Sequence, residues 1–140
     1  MVRISNLKLI KILLKNARKP YPQVAKEFNV SETAIRKRVK KLEQEQVILG
    51  FTIDVNPKKL GYSHVVLLGI DTLPEKLLEV TRALKEKDEV IKLYLSSGDH
   101  MIMAECWFES SEEFMNFIKE LESNKSITKV CPAILVERLK

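Results

Sequence analysis

Apolar residues recur in two rhythms along this chain: a three-to-four-residue spacing over the first fifty positions, and shorter alternating runs after them. Over residues 4–16, Leu7, Ile10 and Leu14 recur at i, i+3 and i+7 with Leu13 alongside, which predicts an amphipathic helix. The stretch "ARKPYP" breaks it with two prolines. A short helix over 23–28 carries Val24, Ala25 and Phe28, and "NVS" is a turn. Ser31 is placed to cap a third helix running to about Glu45, with Ile35, Val39 and Leu42 as its apolar stripe. "VILGFTIDVN" then reads as a strand, and "PKKLGY" as a turn that ends the first domain.

The second half alternates strand and helix. Residues 63–71, 90–96, 100–108 and 127–140 read as strands. Residues 72–87 and 110–123 read as helices, opened by the capping boxes Thr72/Glu75 and Ser110/Glu113. The order β-α-β-β-α-β predicts an α+β chain with a ferredoxin-like C-terminal domain. The expected organisation is a helix-turn-helix domain of winged type over 1–52, a linker over 53–62, and the ferredoxin-like domain over 63–140. Helices cover one face of such a sheet only, yet both registers of its strands are apolar. Val66, Leu68 and Ile70 alternate with Val65 and Leu67, and Met101, Met103 and Trp107 alternate with Ile102, Ala104, Cys106 and Phe108. The bare face is therefore expected to pack on a second copy, sheet on sheet. Pro132 places the last strand at a sheet edge.

Charge changes the picture. The net of +5 hides an asymmetry: residues 1–52 carry 12 Lys/Arg against 4 Asp/Glu, a net of +8, and residues 53–140 carry 12 against 15, a net of −3. A basic front half points to a polyanionic partner. On a wheel of about 100° per residue with Ile35 at zero, Arg36, Lys40, Thr33, Lys37 and Lys41 fall between about 100° and 240°, opposite the core stripe. Glu32 falls to the side. Like charges at i,i+4 repel, and a duplex phosphate backbone would relieve them. Ala25, Asn29 and Ile35 are spaced as in a helix-turn-helix, whose crossing needs a small residue and a left-handed turn residue. On this reading Thr33, Arg36, Lys37 and Lys40 face the groove of double-stranded DNA, Arg36 or Lys37 on guanine. Arg38, Lys41 and Lys26 touch phosphates, and Ser31 sits at the helix start. The plainer reading is a three-helix bundle with a solvated charged face.

The stretch "NARKPYPQVAKEFNVSETAIRKRVKKLEQEQVILGF" resembles the N-terminal signature of the leucine-responsive regulatory protein/AsnC family. The matching pieces are Asn16-Ala17-Arg18, Val24-Ala25, Val30-Ser31, Arg38-Val39, Leu42-Glu43, Val47-Ile48 and Gly50-Phe51. The C-terminal half, with its "SGD" turn, resembles that family's ligand-sensing and oligomerisation domain. The resemblance implies a transcriptional regulator, dimeric at least and often octameric, sometimes gated by a small-molecule effector such as an amino acid. Two copies would suit a pseudo-palindromic promoter site. Ser97, Gly98, Asp99 and His100 would then form an effector pocket or a dimer–dimer contact; read alone, "SSGDH" is a plain hairpin turn. The sequence departs from the family where glycine usually ends the recognition helix and Gln46 stands here. It departs again where G-D-x-D is usual and Gly98-Asp99-His100 is followed by Met101, and where threonines usually flank Cys131-Pro132-Ala133.

Other chemistry is not expected. His100 and Cys106 lie about 20 Å apart along one extended strand, so they form no dyad. The histidines and cysteines show no metal-ligand spacing, and neither a phosphate loop nor a dinucleotide fingerprint is present, so no enzyme, metal or cofactor is expected. The apolar runs are too short to span a bilayer, and the first residues lack the features of a secretory signal, which together predict a cytoplasmic protein with two reduced thiols. An architectural DNA-binding protein of weak specificity is the alternative, since it would share the basic half.

Overall fold

Two prolines and two left-handed turns cut the first fifty residues into three helices, α1 (Asn6–Lys15), α2 (Tyr21–Phe28) and α3 (Glu32–Gln44). The computed structural model describes residues 3–140 and divides the chain into two compact units, one through Asp54 and one from Val55. Ser5 caps α1, its Oγ accepting from Lys8 N at 3.2 Å. Pro22 sits in the first turn of α2, where its missing N–H has no helical partner to lose. Asn29 ends that helix at φ 53°, ψ 47°. There Val30 N donates to Ala25 O and Asn29 N to Lys26 O, the paired closure that a left-handed residue permits. Gln46 ends α3 in the same way at φ 60°, with Val47 N on Leu42 O and Gln46 N on Glu43 O.

The core of the first unit is Leu9, Leu13, Val24, Ala25, Phe28, Ile35, Val39 and Leu42. Full burial of one such Leu or Ile is worth about 1.5–3 kcal/mol. The stripe expected on α1 is out of phase: Leu9 and Leu13 are buried, Ile10 is half-buried, and Leu7 and Leu14 are exposed. Six of the residues from Leu7 to Leu14 are apolar, so spacing alone allowed several faces. The core that Leu9 and Leu13 share with the apolar residues of α2 and α3 selects that edge. The expected strand over 47–56 is not formed, and the first unit has no wing among the described residues. A strand needs a partner for its backbone groups, and none is offered here. Val47, Leu49, Phe51 and Ile53, at spacing two, are all exposed.

The second unit opens with a 3-10 turn, Pro57–Leu60, closed by Gly61 at φ 102°. It continues through β1 (His64–Thr72), α4 (Leu77–Lys85), β2 (Val90–Leu95), β3 (Ile102–Phe108), α5 (Ser111–Ser123) and β4 (Ile127–Ile134). The four strands pair antiparallel in the order β2-β3-β1-β4, the ferredoxin-like plan, with Pro132 on an edge strand as expected. Thr72 does not cap a helix. It ends β1 opposite Ile127, with Oγ1 donating to Leu73 O at 2.9 Å, and α4 starts five residues later, after a 3-10 turn. Leu73 N donates to Ser126 O, so pairing with the chain before β4 draws this corner into the sheet. At the second box the Ser110 half forms, Oγ accepting from Glu113 N, while the Glu113 carboxylate accepts from Glu109 N, one residue before the cap.

Val66, Leu68 and Ile70 of β1 and Ile102, Ala104, Cys106 and Phe108 of β3 pack under Val80 and Leu84 of α4 and Phe114, Phe117 and Leu121 of α5. The other face carries half-buried Val65, Leu67, Met103, Glu105 and Trp107, with Tyr94 exposed beside them. On this face Gly69 is required by shape. A Cβ there would stand 2.2 Å from Cδ2 of His100, whose ring folds back over the glycine. His100 Nδ1 donates to Asp71 Oδ2 at 3.0 Å, and Met101 N donates to Asp71 Oδ1 at 2.9 Å. These bonds, from His100 first and Met101 second, hold the Asp71 carboxyl below the usual carboxylate range. Gly98 is not in the left-handed region; Gly61 is the one described glycine at positive φ.

Gln46→Gly should stabilise the first unit by about 1 kcal/mol, because a side chain at positive φ costs about that much; a raised urea midpoint checks it. In the second unit, Gly69→Ala should cost about 1–3 kcal/mol by evicting the His100 ring. Gly98→Ala should stay within about 0.5 kcal/mol of the parent in the same urea titration.

Candidate nucleic-acid interface

The buried side of α3 decides which face its cations occupy. Ile35, Val39 and Leu42 are fully or almost fully buried, so a large roll of the helix would expose them. Ser31 fixes its start, with Oγ accepting from Ala34 N at 3.1 Å. The opposite face is left to Thr33, Arg36, Lys37, Lys40 and Lys41, all exposed. Lys26 is exposed in the last turn of α2, ahead of the Asn29 turn.

These cations are not equivalent. The side chains of Lys37, Lys40, Lys26 and Thr33 make no ion pair or hydrogen bond among the described residues. Arg36 is held twice: Nη2 lies 2.6 Å from Glu32 Oε1, and its guanidinium lies 5.2 Å from the Tyr21 ring centroid. Lys41 lies 3.8 Å from Glu45 Oε1. Two cations of this face thus have acidic partners, glutamates four residues away that bracket the helix. Exposed pairs of this kind are worth a few tenths of a kcal/mol each, so a phosphate displaces them at small cost.

Arg38 stands apart. Its Nη1 donates to Ile4 O at 3.0 Å and to Asn6 Oδ1 at 2.8 Å, and the residue is half-buried. On the wheel it falls about 60° from Ile35, on the flank toward the core rather than on the outer face. That angle was available in the sequence; the acceptors, more than thirty residues away, were not. Lys19 is likewise occupied, by Glu27, and that hydrogen bond holds the Glu27 carboxyl below its usual range.

In the second unit, Ser97, Gly98 and Asp99 are exposed in the loop between β2 and β3, with Ser96 Oγ accepting from Gly98 N at 3.2 Å. His100 is parted from them, since its ring is turned onto Gly69 and Asp71. Gly69 and Asp71 are the residues that sequence reading missed here. A lone glycine and a lone acid in an otherwise apolar strand were the available signals. Cys106 is buried, and burial pushes its thiol up to about 12, with Glu89 and Glu105 adding to the effect. It is no nucleophile. Cys131 is half-buried rather than buried, on the edge strand. No cluster of metal-ligating side chains occurs among the described residues, and no described helix is long and apolar enough to cross a membrane.

Residues 5–43 match the AsnC-type helix-turn-helix domain, and residues 65–140 match the Lrp/AsnC ligand binding domain. The chain is 53% identical to the HTH-type transcriptional regulator LrpA of Pyrococcus horikoshii over 133 residues, 94% of each chain. It is 37% identical to the HTH-type transcriptional regulator LrpA1 of Halobacterium salinarum over 134 residues, 95% of this chain and 94% of that one. Among solved structures, AsnC of E. coli superimposes with a TM-score of 0.81 at 29% identity, covering 99% of this chain and 95% of that one. With a capped helix-turn-helix ahead of an antiparallel α/β domain and relatives alike over nearly their whole length, the chain belongs to the Lrp/AsnC family of transcriptional regulators.

Proposed function

We propose that the protein binds double-stranded DNA at pseudo-palindromic promoter sites as a homodimer, with α3 in the major groove. The exposure of Thr33, Lys37 and Lys40 on one face of a helix whose other face is locked in the core carries this reading. Lys37 and Lys40 meet base edges or phosphates directly, and Thr33 meets whichever is near the helix start. Arg36 exchanges Glu32 for the paired acceptors of a guanine. Lys26 and Lys41 neutralise phosphates and set position.

The uncovered sheet face supports the dimer. Val65, Leu67, Met103 and Trp107 form a half-buried apolar band that a second sheet can cover. The exposed row Val47, Leu49, Phe51 and Ile53 is a further apolar surface for the same partner. Ser97, Gly98 and Asp99, with His100 anchoring their loop, are the proposed contact for a small-molecule effector such as an amino acid, or for assembly into a tetramer or octamer. Such an effector acts by binding two arrangements of subunits unequally.

Fluorescence anisotropy across a salt series, with a duplex from the upstream region of the protein's own gene and a scrambled one, tests the DNA reading. A preference of about a thousandfold that survives rising salt supports a specific regulator. Equal affinities with a steep salt slope support an architectural protein instead. Arg36→Ala should cost about 1–3 kcal/mol on the preferred duplex and flatten the preference, while Lys26→Ala should weaken both duplexes evenly and reduce the salt slope by about one. Leu67→Glu should dissociate the dimer, read by light scattering, and leave only the weak affinity of a single half-site. A dimer unaffected by that charge would move the interface elsewhere.

A further inference from the structure

Arg38 was expected on a phosphate, but one nitrogen of its guanidinium is engaged by the protein. Nη1 bonds two oxygens at the start of α1, the Ile4 carbonyl and the Asn6 side chain, 34 and 32 residues away in sequence. A cation gains nothing from the positive end of a helix dipole, so these bonds do not stabilise α1 electrostatically. What they do is geometric. The Ile4 carbonyl precedes the Ser5 cap, outside the helical ladder of α1, and Arg38 supplies a donor to it. The fork of one guanidinium nitrogen thus joins the entry of α1 to the middle of α3 on the flank between the core stripe and the cationic face.

We propose that Arg38 is a positioning residue for DNA recognition: with Asn6 it sets the roll of α3 about its own axis, and neither residue touches the DNA. The proposal rests on α3 being the recognition helix. A roll of about 15° moves a side-chain tip some 8 Å from the axis by on the order of 2 Å. Base hydrogen bonds fail at displacements well below that, whereas attraction to phosphates falls off slowly with distance. Loss of the strut therefore removes discrimination between sequences and leaves non-specific attraction nearly whole. A phosphate ligand at this position would behave oppositely, weakening all DNA alike and lowering the salt slope.

The test compares Arg38→Ala, Arg38→Lys and Asn6→Ala with the parent full-length protein, on preferred and scrambled duplexes across the same salt series, with urea unfolding to confirm that each variant folds. Arg38→Ala should lower affinity for the preferred duplex about tenfold, leave the scrambled duplex within about twofold, and keep the salt slope. Arg38→Lys, which keeps the charge and one donor without the fork, should fall between. Asn6→Ala changes no charge and should reproduce part of the loss on the preferred duplex. A salt slope lowered by about one in Arg38→Ala, with Asn6→Ala silent, would overturn the strut and restore the phosphate contact. If the parent shows no preference between duplexes, the sequence-specific reading fails by itself. The assignment of Arg38 away from the DNA then stands if Arg38→Ala and Asn6→Ala both bind the two duplexes within about twofold of the parent at unchanged slope, and is overturned if Arg38→Ala weakens both and lowers the slope by about one.

Discussion

The left-handed turn at Asn29 is the constraint from which the DNA-facing half of the molecule follows. At φ 53° and ψ 47° the chain leaves α2 and enters α3 within three residues. The small side chain of Ala25 is buried nearby, and its carbonyl accepts the closing bond from Val30. Because the turn sets the direction of α3 and the core takes Ile35, Val39 and Leu42, the angular position of every cation on that helix is decided before any DNA is present. Charge placement is thus a consequence of packing. The cations repel one another, and the apolar stripe supplies the free energy that holds them together.

The outer face is tempered. Glu32 and Glu45 each hold one of its cations, at opposite ends of the helix, leaving Lys37 and Lys40 between them without protein partners. Weak, exposed pairs of this sort reduce the long-range field and yield readily to a better anion. Arg38, though adjacent in sequence to Lys37, belongs to the inner architecture. Two neighbouring basic residues of one run therefore serve different ends, one facing outward and one joining helices.

The second unit shows a related economy. Its sheet is apolar on both faces, and only one is covered by α4 and α5. The other face is finished locally by a histidine laid over a glycine and tied to an aspartate. That fit anchors the end of the exposed loop through Met101 N while leaving Ser97 to Asp99 outward. A loop fixed at its base and bare at its tip is suited to contact with a ligand or another subunit.

Much of this was legible in the residues alone. The three helices, the caps at Ser31 and Ser110, the left-handed residue at Asn29, the order of strands and helices along the second half and the edge position of Pro132 follow from local rules: side-chain period, capping chemistry, and the proline ring. The exposed cationic side of α3 follows from a helical wheel. Where several registers satisfied the same local rule, sequence could not choose. The buried edge of α1 was settled by the core it shares with α2 and α3. Residues 47–56 have a strand's pattern and no strand's partner within the chain, and Thr72 was taken from a helix start into a sheet end by pairing with the segment before β4. Arg38 and His100 looked like free polar groups because their acceptors lie about thirty residues away. Periodicity and propensity are properties of neighbours along the chain, so sequence determined the elements and their faces. Hydrogen-bond partners across such distances exist only once the core has closed, so tertiary structure alone decided which charged side chains remain available to DNA.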